Sequence, residues 1–170
     1  YEIGVRLVGS EMCIRDSILG AQQSGGHRSG ATAENMTDYV TSSFKPAVKH
    51  LYQQAGVTPS DIDVVQSYEN FTGGVVMSLI EHGLCTYENA DEVLTFVKLR
   101  ADGGGLALYT SGGILAECYM HGLGLQIEAV RQLRGESPNQ VPGAKVALAN
   151  AGPMVPVAST ALYGTEEALG

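Results

Sequence analysis

The chain carries little charge, and most of that charge is negative. Only 16% of its 170 residues are charged, with 10 lysines and arginines against 18 aspartates and glutamates, so the formal net charge is −8. Surfaces that bind nucleic acid or anionic membranes need clustered Lys and Arg, so this composition argues against both functions. Hydrophobic residues make up 44% of the chain, which is ordinary for a globular protein and unlike a disordered one.

Cysteine is scarce, and long apolar runs are missing. Cys13, Cys85 and Cys118 lie far apart in the sequence, with neither a disulfide framework nor the spacing of a metal site. No apolar run approaches the roughly 20 residues of a membrane-spanning helix, and no signal-peptide pattern is visible at the start. We therefore expect a cytoplasmic protein with reduced cysteines and no metal site.

Residues 1–17 differ in character from the residues that follow. They read YEIGVRLVGSEMCIRDS, in which VGSEMCIRDS resembles translated sequencing-adapter DNA. Apolar and charged residues are mixed there without a period, and the sequence then changes abruptly to ILGAQQSGG. We predict that residues 1–17 are a non-native segment, that one domain occupies residues 18–164, and that residues 165–170 form a tail. The alternative is a native strand over residues 3–8.

The pattern beyond residue 17 predicts a layered α/β domain with a mostly parallel sheet. The predicted elements are a strand over 18–21, a loop over 22–41 with His27 and Arg28, a helix over 43–56, a strand over 62–66, helices over 74–82, 89–98 and 113–134, a connector over 101–108, and antiparallel strands over 145–149 and 157–163.

Several side chains have predicted places in these elements. Ser43 is predicted to cap the first helix. Leu123, Ile127 and Val130 are predicted to line one face of the last helix. Glycines weaken a helix, so Gly122 and Gly124 indicate a close approach by another group. The expected place of the scattered histidines is the surface, and these are His27, His50 and His82.

Three motifs follow one another in a fixed order. The first is Tyr68-Glu69-Asn70-Phe71, directly after a predicted strand. The second is Gly112-Gly113 followed by Cys118-Tyr119-Met120-His121-Gly122, and the third is the closing strand, glycine loop and strand. With the strings EAVRQLRG and QVPGAKVAL, they resemble the C-terminal domain of thiolases, and most closely its sterol-carrier or lipid-transfer branch. The resemblance covers residues 18–164 and implies a thiolase-like C-terminal half, with a mostly parallel five-stranded sheet and helices on both faces.

The departures from the thiolase motifs carry information about the chemistry. Thiolases have Asn where this chain has Tyr68, and His where it has Tyr119. They also carry a Cys in the third motif, and residues 149–153 contain none. Claisen chemistry needs a proton shuttle with a pKa near neutrality, which Cys or His supplies and Ala or Asn does not. Ordinary thiolase activity is therefore not expected.

The pattern Glu117-x-Tyr119-x-His121-Gly122-Leu123 instead resembles thiolase-like aldolases that act on sterol side chains as CoA thioesters. These enzymes cleave a β-hydroxyacyl-CoA by a retro-aldol reaction, which needs a base for the β-hydroxyl proton and a donor for the enolate. A tyrosine fits either role. The resemblance makes Tyr119 the first catalytic candidate and Tyr68 the second, with His121 and Glu117 orienting them. The predicted substrate-binding residues are Glu69, Asn70, Phe71, Ser111, Gly112, Gly113 and Gly122.

Two other functions and several plainer roles remain open. The functions are an acetyl-CoA acyltransferase of lipid degradation and a non-catalytic protein that binds lipid or acyl-CoA. Tyr119 and Tyr68 can equally be packing residues, Glu69 a helix N-terminal acid, and residues 110–113 an ordinary glycine turn.

The resemblance also implies partners. The family's nucleophile loop lies in an N-terminal half that this chain lacks, so the chain alone is expected to be inactive and to expose an apolar face. The intact parent is expected to be a homodimer that uses a CoA thioester as substrate, with no cofactor bound by this chain. The aldolase branch adds a small OB-fold, zinc-ribbon subunit that binds acyl-CoA.

Overall fold

The computed structural model describes residues 16–25, 41–155 and 157–169. Short 3₁₀ helices lie at Pro59–Asp61 and Glu166–Leu169. Within the described ranges, no helix is long and apolar enough to cross a membrane. The main elements in chain order are β1 (Ser17–Ser24), α1 (Lys45–Ala55), β2 (Val64–Ser67), α2 (Thr72–Glu81), α3 (Ala90–Val93), β3 (Ala107–Leu108), α4 (Leu123–Arg134), β4 (Val146–Ala151) and β5 (Ala158–Gly164).

The five strands form one mixed sheet in the order β1-β5-β4-β2-β3. β2 runs parallel to β3 and β4, whereas β5 runs antiparallel to both β4 and β1. The predicted α/β class, five-stranded sheet and closing antiparallel pair are confirmed. The sheet is mixed and mostly parallel, because β1, β2, β3 and β4 run in one direction and only β5 of the described strands runs against them, through the short connection from β4 that favours an antiparallel return.

Helices cover both faces of the sheet. On one face, Leu51 of α1 and Leu79 of α2 pack in a cluster with Val65, Leu148 and Leu162 of the central strands. On the other face, α4 contributes the helical side of the core. The buried members there are Ala129 and Leu133 of α4 with Val64, Ala147 and Ala149 of the sheet. Burial on two faces explains why all four residues of β2 and the first five of β4 are buried, polar residues included.

The last helix is shorter than predicted and buries a different face. It begins at Leu123 and not near residue 113, because Gly112, Gly113, His121 and Gly122 all have positive φ, which interrupts a helix. Leu123, Ile127 and Val130 do lie along one face at helical spacing, but that face is not the buried one: Leu123 is 54% exposed and Ile127 38% exposed. The buried positions include the polar residues Glu128 and Gln132, so apolar periodicity did not mark the buried face.

Other element boundaries also differ from the prediction. β1 extends to Ser24, into the segment predicted as a loop. The helix predicted over 89–98 shortens to α3. The connector predicted over 101–108 ends in β3, which pairs with β2 and was missed because a two-residue strand has no readable period. His27 and Arg28 lie outside the described residues.

The described start of the chain contacts the domain. Ser17 belongs to β1 and pairs with Gly164. The carboxylate of Asp16 accepts a hydrogen bond from Arg134 Nε at 2.7 Å. The last two residues of the predicted non-native segment therefore fit the fold, and residues 1–15 lie outside the described residues. The division into 1–17, 18–164 and 165–170 stays a prediction.

The predicted cap of α1 was wrong. The N-cap position belongs to Phe44, without a side-chain cap, and Ser43 precedes it with φ 72°. The Ser43 hydroxyl is therefore not the acceptor for the first turn. The carboxylate of Glu81, at the end of α2, accepts hydrogen bonds from the backbone N–H groups of Phe44 and Lys45.

His82 is a core residue and not the surface residue that was expected. Its ring is fully buried and lies 4.9 Å from the Phe44 ring, between centroids. Nδ1 lies 2.7 Å from the carbonyl oxygen of Ser78, and Nε2 lies 3.0 Å from the hydroxyl of Thr160. A neutral imidazole matches both partners, donating to the carbonyl and accepting from the hydroxyl. Burial lowers the pKa of His82 from 6.5 to about 4.

We expect acid to destabilise the domain through His82. Its folded pKa lies below its unfolded value, so its contribution is full above pH 6.5 and is lost as pH falls toward 4. The loss should approach roughly 3 kcal/mol. Urea unfolding between pH 7 and 4.5 should give a shallower decline for His82→Gln than for the unmodified chain. The same substitution at an exposed histidine, His50→Gln, is the control. Equal slopes for all three proteins would contradict the assignment.

Candidate active site

The candidate site lies where β2 and β4 end and α4 begins. Tyr68 directly follows β2, and its backbone N–H donates to the carbonyl oxygen of Asn150 in β4. The Tyr68 ring packs over Gly122, the residue before α4, where an added Cβ would lie 3.0 Å from Cδ2 of the ring. Gly122 also has φ 90°, which favours glycine. The predicted close approach at Gly122 is therefore present, and the group that approaches is Tyr68.

The two candidate tyrosines touch through their hydroxyl groups. Tyr68 Oη and Tyr119 Oη are 2.7 Å apart, although the residues are 51 positions apart in sequence. The Tyr119 side chain is 58% exposed, so the pair is open to solvent. The hydrogen bond with Tyr119 is the main cause that raises the pKa of Tyr68, with smaller contributions from burial and neighbouring charge. Either hydroxyl can be the donor in this contact.

The His121 ring contacts the tyrosine pair, whereas the Glu117 carboxylate lies near α4. The rings of His121 and Tyr119 have centroids 4.8 Å apart and planes tilted by 56°. The Glu117 carboxylate instead approaches the first turn of α4, where an added Cβ on Gly124 would lie 3.0 Å from Oε2. The helix dipole favours a carboxylate at that position. In the described part of the chain, no hydrogen bond joins His121 or Glu117 to either hydroxyl, and the orienting roles of both residues stay predictions.

Glu69 links the first motif to the glycine turn of the second. Its Oε1 accepts a hydrogen bond from the backbone N–H of Ile114. A Cβ on Gly113 would collide with the same oxygen, and Gly113 has φ 70°, so only glycine fits there. Burial raises the pKa of Glu69, against the lowering effect of its backbone hydrogen bonds. Within the described residues, Glu69 Oε2 and the Ser111 hydroxyl are buried without a protein hydrogen-bond partner.

The other predicted binding residues lie around this link. Asn70 Oδ1 accepts from the backbone N–H of Phe71 at 3.1 Å, and Asn70 Nδ2 lies 3.5 Å from the carbonyl oxygen of Pro153. Phe71 is 65% exposed at the start of α2. Gly112 has φ 94° in the turn. The structure thus gathers Tyr68, Tyr119, His121 and Gly122 at one point, and joins Glu69 to Gly113 beside it.

A buried polar cluster beneath the site was not predicted. Asn150, in the segment where thiolases carry their Cys, is fully buried and accepts a hydrogen bond from Ser67 Oγ at 2.8 Å. Its Nδ2 lies 3.2 Å from Ser78 Oγ. Its neighbour Ala149 packs with α4 on the face opposite the Ser78 helix. The available signal was polar residues inside strands that otherwise read as fully buried. Among the described residues, no group of three or more His, Cys, Asp or Glu is placed to hold a metal ion.

The sequence matches a known family over most of its length. A sequence model described as thiolase C-terminal domain-like matches residues 25–165. The 17-hydroxy-3-oxo-4-pregnene-20-carboxyl-CoA lyase of Mycobacterium tuberculosis is 37% identical over 114 residues, which are 67% of this chain and 29% of that protein. The steroid side-chain-cleaving aldolase of Thermomonospora curvata is 36% identical over 151 residues, which are 85% of this chain and 37% of that protein.

A solved structure gives the same result for the fold. The structure of the Ltp2-ChsH2(DUF35) aldolase superposes with a TM-score of 0.80 at 33% identity, covering 89% of this chain and 40% of that chain. The chain thus spans 29% and 37% of the lengths of the two curated relatives. With the family match over residues 25–165 and the motifs in the expected order, the chain belongs to the thiolase C-terminal domain-like family.

Proposed function

We propose that this chain is the C-terminal part of a thiolase-like enzyme that cleaves bulky β-hydroxyacyl-CoA thioesters of the sterol side-chain type by a retro-aldol reaction. The observation that carries the proposal is the 2.7 Å contact between the hydroxyls of Tyr68 and Tyr119. Tyrosine stands where thiolases have Asn and His, so the pair replaces Claisen machinery with two linked phenols. The names of the two steroid-cleaving relatives support the same reaction class.

The tyrosine pair can supply both proton transfers of the reaction. The Tyr119 oxygen takes the proton of the β-hydroxyl, the Cα–Cβ bond breaks, and the bonding electrons pass into the enolate of the thioester. The former β-carbon becomes a carbonyl. In the same step Tyr119 passes its own hydroxyl proton to Tyr68, and Tyr68 gives its original proton to Cα, so each tyrosine ends with one proton, as it began. The 2.7 Å contact between the two hydroxyl oxygens provides the path for this relay.

The remaining site residues have supporting roles in this proposal. The His121 ring fixes the Tyr119 ring by contact. Gly122 has no side chain, which leaves room for the Tyr68 ring to pack against its backbone. The thioester would lie along the exposed segment between the glycine turn and the start of α2, where Phe71 offers apolar surface and Gly112 and Gly113 keep the backbone accessible. The chemistry needs no cofactor bound by this chain; coenzyme A enters as part of the substrate.

The surface beside α4 has the features of a docking surface for the proposed N-terminal half. Leu123 and Ile127 lie one helical turn apart on α4 and are exposed. Next to them, the sheet has an open groove of about 350 Å³ with the small residues Ala21, Ser159 and Ala161 among its lining. A second helix could pack there, as two helices do side by side on one sheet face. We assign this surface to the N-terminal thiolase-like half, without which the chain is inactive.

Two further partners belong to the proposal. The intact parent is proposed to form a homodimer and to work with a small OB-fold, zinc-ribbon subunit that binds acyl-CoA. The solved Ltp2-ChsH2(DUF35) aldolase, whose name includes a DUF35 component, supports a second subunit of this kind. These assignments rest on likeness of fold and are independent of the tyrosine geometry.

The test is a turnover assay on the assembled enzyme. The chain is joined to its N-terminal half, recovered from the source DNA, and given a β-hydroxyacyl-CoA with a bulky branched side chain, with and without the OB-fold subunit. We expect stoichiometric release of a ketone and a short acyl-CoA. Thiolysis of acetoacetyl-CoA in the same preparation would instead establish the acyltransferase. Tight acyl-CoA binding without either reaction would establish the non-catalytic binding protein.

A further inference from the structure

A buried carboxylate lies under the loop that carries Tyr119. Glu128, on the second turn of α4, is only 1% exposed. Its Oε1 accepts three hydrogen bonds: from Thr110 Oγ1 at 2.5 Å, from Ser137 Oγ at 2.7 Å and from Gln132 Nε2 at 3.0 Å. We call these four residues, with Asn139, the Glu128 cluster. A buried carboxylate without cationic partners in the cluster is costly, so its retention calls for an explanation.

Thr110 takes part in three hydrogen bonds at this cluster. The Thr110 hydroxyl donates to Glu128 and accepts from Gln66 Nε2 at 2.9 Å. The Thr110 carbonyl oxygen accepts from Asn139 Nδ2 at 2.9 Å. The backbone N–H of Asn139 donates to Ser137 Oγ at 3.2 Å, and Ser137 donates to Glu128. The bonds close a ring through Thr110, Glu128, Ser137 and Asn139, so Thr110 is held through both its side chain and its backbone.

The position of the cluster in the chain relates it to the active site. Residues 111–122 leave the sheet just after Thr110 and return as the start of α4, one and a half turns before Glu128. The loop contains no regular element, and residues 115–121 are all exposed. The bond between Thr110 and Glu128 therefore joins the two ends of the loop that presents Tyr119 and His121. Apart from this base, the described contacts of the loop with the domain include the Ile114 bond to Glu69 and the Tyr119 bond to Tyr68.

We propose that Glu128 is a positioning residue that closes the base of loop 111–122 and thereby sets the contact between Tyr119 and Tyr68. The expected loss of turnover rests on the proposed function, whereas the effect of Glu128 on the contact between Tyr119 and Tyr68 does not. Two apolar side chains at positions 110 and 128 would fill the space equally well. They would not fix the path of loop 111–122, because only directional hydrogen bonds, such as those that Glu128 Oε1 accepts, specify one orientation. The carboxylate therefore serves the geometry of the loop more than the stability of the core.

The experiment compares Thr110→Val with Thr110→Ser in the chain joined to its N-terminal half. Valine keeps the volume and removes the hydroxyl, whereas serine keeps the hydroxyl and is the matched control. Tyrosines labelled with ¹³C at Cζ report the ionisation of Tyr68, assigned with Tyr68→Phe. We expect Tyr68 in Thr110→Val to titrate near the ordinary tyrosine value of about 10, and Thr110→Ser to keep the raised value. Turnover should fall about tenfold or more in kcat for Thr110→Val, with KM little changed.

The outcomes separate this inference from the proposed function. An unchanged Tyr68 titration in folded Thr110→Val would overturn the positioning role, whatever the turnover. A shifted titration with unchanged turnover would uphold the positioning of the tyrosines and count against their catalytic use. If Thr110→Val does not fold, Asn139→Ala removes only the bond to the Thr110 carbonyl from an exposed residue. Its Tyr68 titration should shift in the same direction, and an unchanged value there would likewise overturn the inference.

Discussion

Replacing Tyr119 with phenylalanine should lower turnover of a β-hydroxyacyl-CoA by about 10²–10⁴-fold, the usual contribution of a positioned acid or base. The substitution removes one oxygen from an exposed side chain and leaves the ring to contact His121. Binding of substrate should therefore change little, and the loss should appear in kcat. The measurement is steady-state release of short acyl-CoA by the assembled enzyme.

The pair also predicts how the two tyrosines depend on each other. Tyr68→Phe should cause a loss of similar size, and the double variant should be no worse than the weaker single variant, because each phenol acts through the other. Loss of Tyr119 should lower the pKa of Tyr68 toward its ordinary value, since their hydrogen bond is the main cause of the shift. Tyr87→Phe is the matched control, because Tyr87 is also exposed but not in the pair. Unchanged turnover for Tyr119→Phe would contradict the proposed aldolase function.

The motifs brought together side chains that local periodicity could not relate. Tyr68 and Tyr119 were selected because they stand where two thiolase motifs carry Asn and His, although Tyr119 was predicted inside a helix and lies in a loop. The structure brings their hydroxyls into contact. The antiparallel closing pair was also predictable, since a short glycine loop between two apolar runs leaves few other arrangements.

Periodicity failed where polar residues are buried. The core face of α4 contains Glu128 and Gln132, whose burial depends on partners as distant as Thr110, and no local pattern encodes those partners. The apolar face that the sequence displays, with Leu123 and Ile127, is instead exposed in this chain. His82 was misplaced for a related reason: its burial depends on a hydrogen bond to Thr160, 78 residues away.

The start of α1 depends on one side chain from another helix. Glu81, at the end of α2, accepts five hydrogen bonds from the segment that leads into α1. The donors are Thr41 Oγ1 at 2.5 Å, Ser42 N at 2.8 Å, Ser42 Oγ at 3.1 Å, Phe44 N at 2.8 Å and Lys45 N at 3.1 Å. The backbone N–H groups in the first turn of a helix have no hydrogen-bond acceptor within the helix. Here the carboxylate of Glu81, from a distant part of the sequence, is the acceptor for two of them. Ser43 was expected to do this locally, but its φ of 72° precludes the usual cap conformation.

We expect Glu81→Ala to destabilise the domain by roughly 2–4 kcal/mol, more than the loss of an ordinary cap, because a charged acceptor serves several donors at once. Ser42 is fully buried, so its freed N–H and hydroxyl cannot turn to water without local opening. Glu81→Gln should also destabilise, since its amide would present N–H groups to donors, and this separates the need for an acceptor from the need for volume. Urea unfolding measures both effects, and hydrogen exchange at Phe44 and Lys45 should accelerate.

Glu167→Ala is the control: that carboxylate is 75% exposed in a surface ion pair, and its loss should cost less than about 1 kcal/mol. Similar stabilities for the Glu81 and Glu167 variants would mean that α1 does not depend on the Glu81 carboxylate.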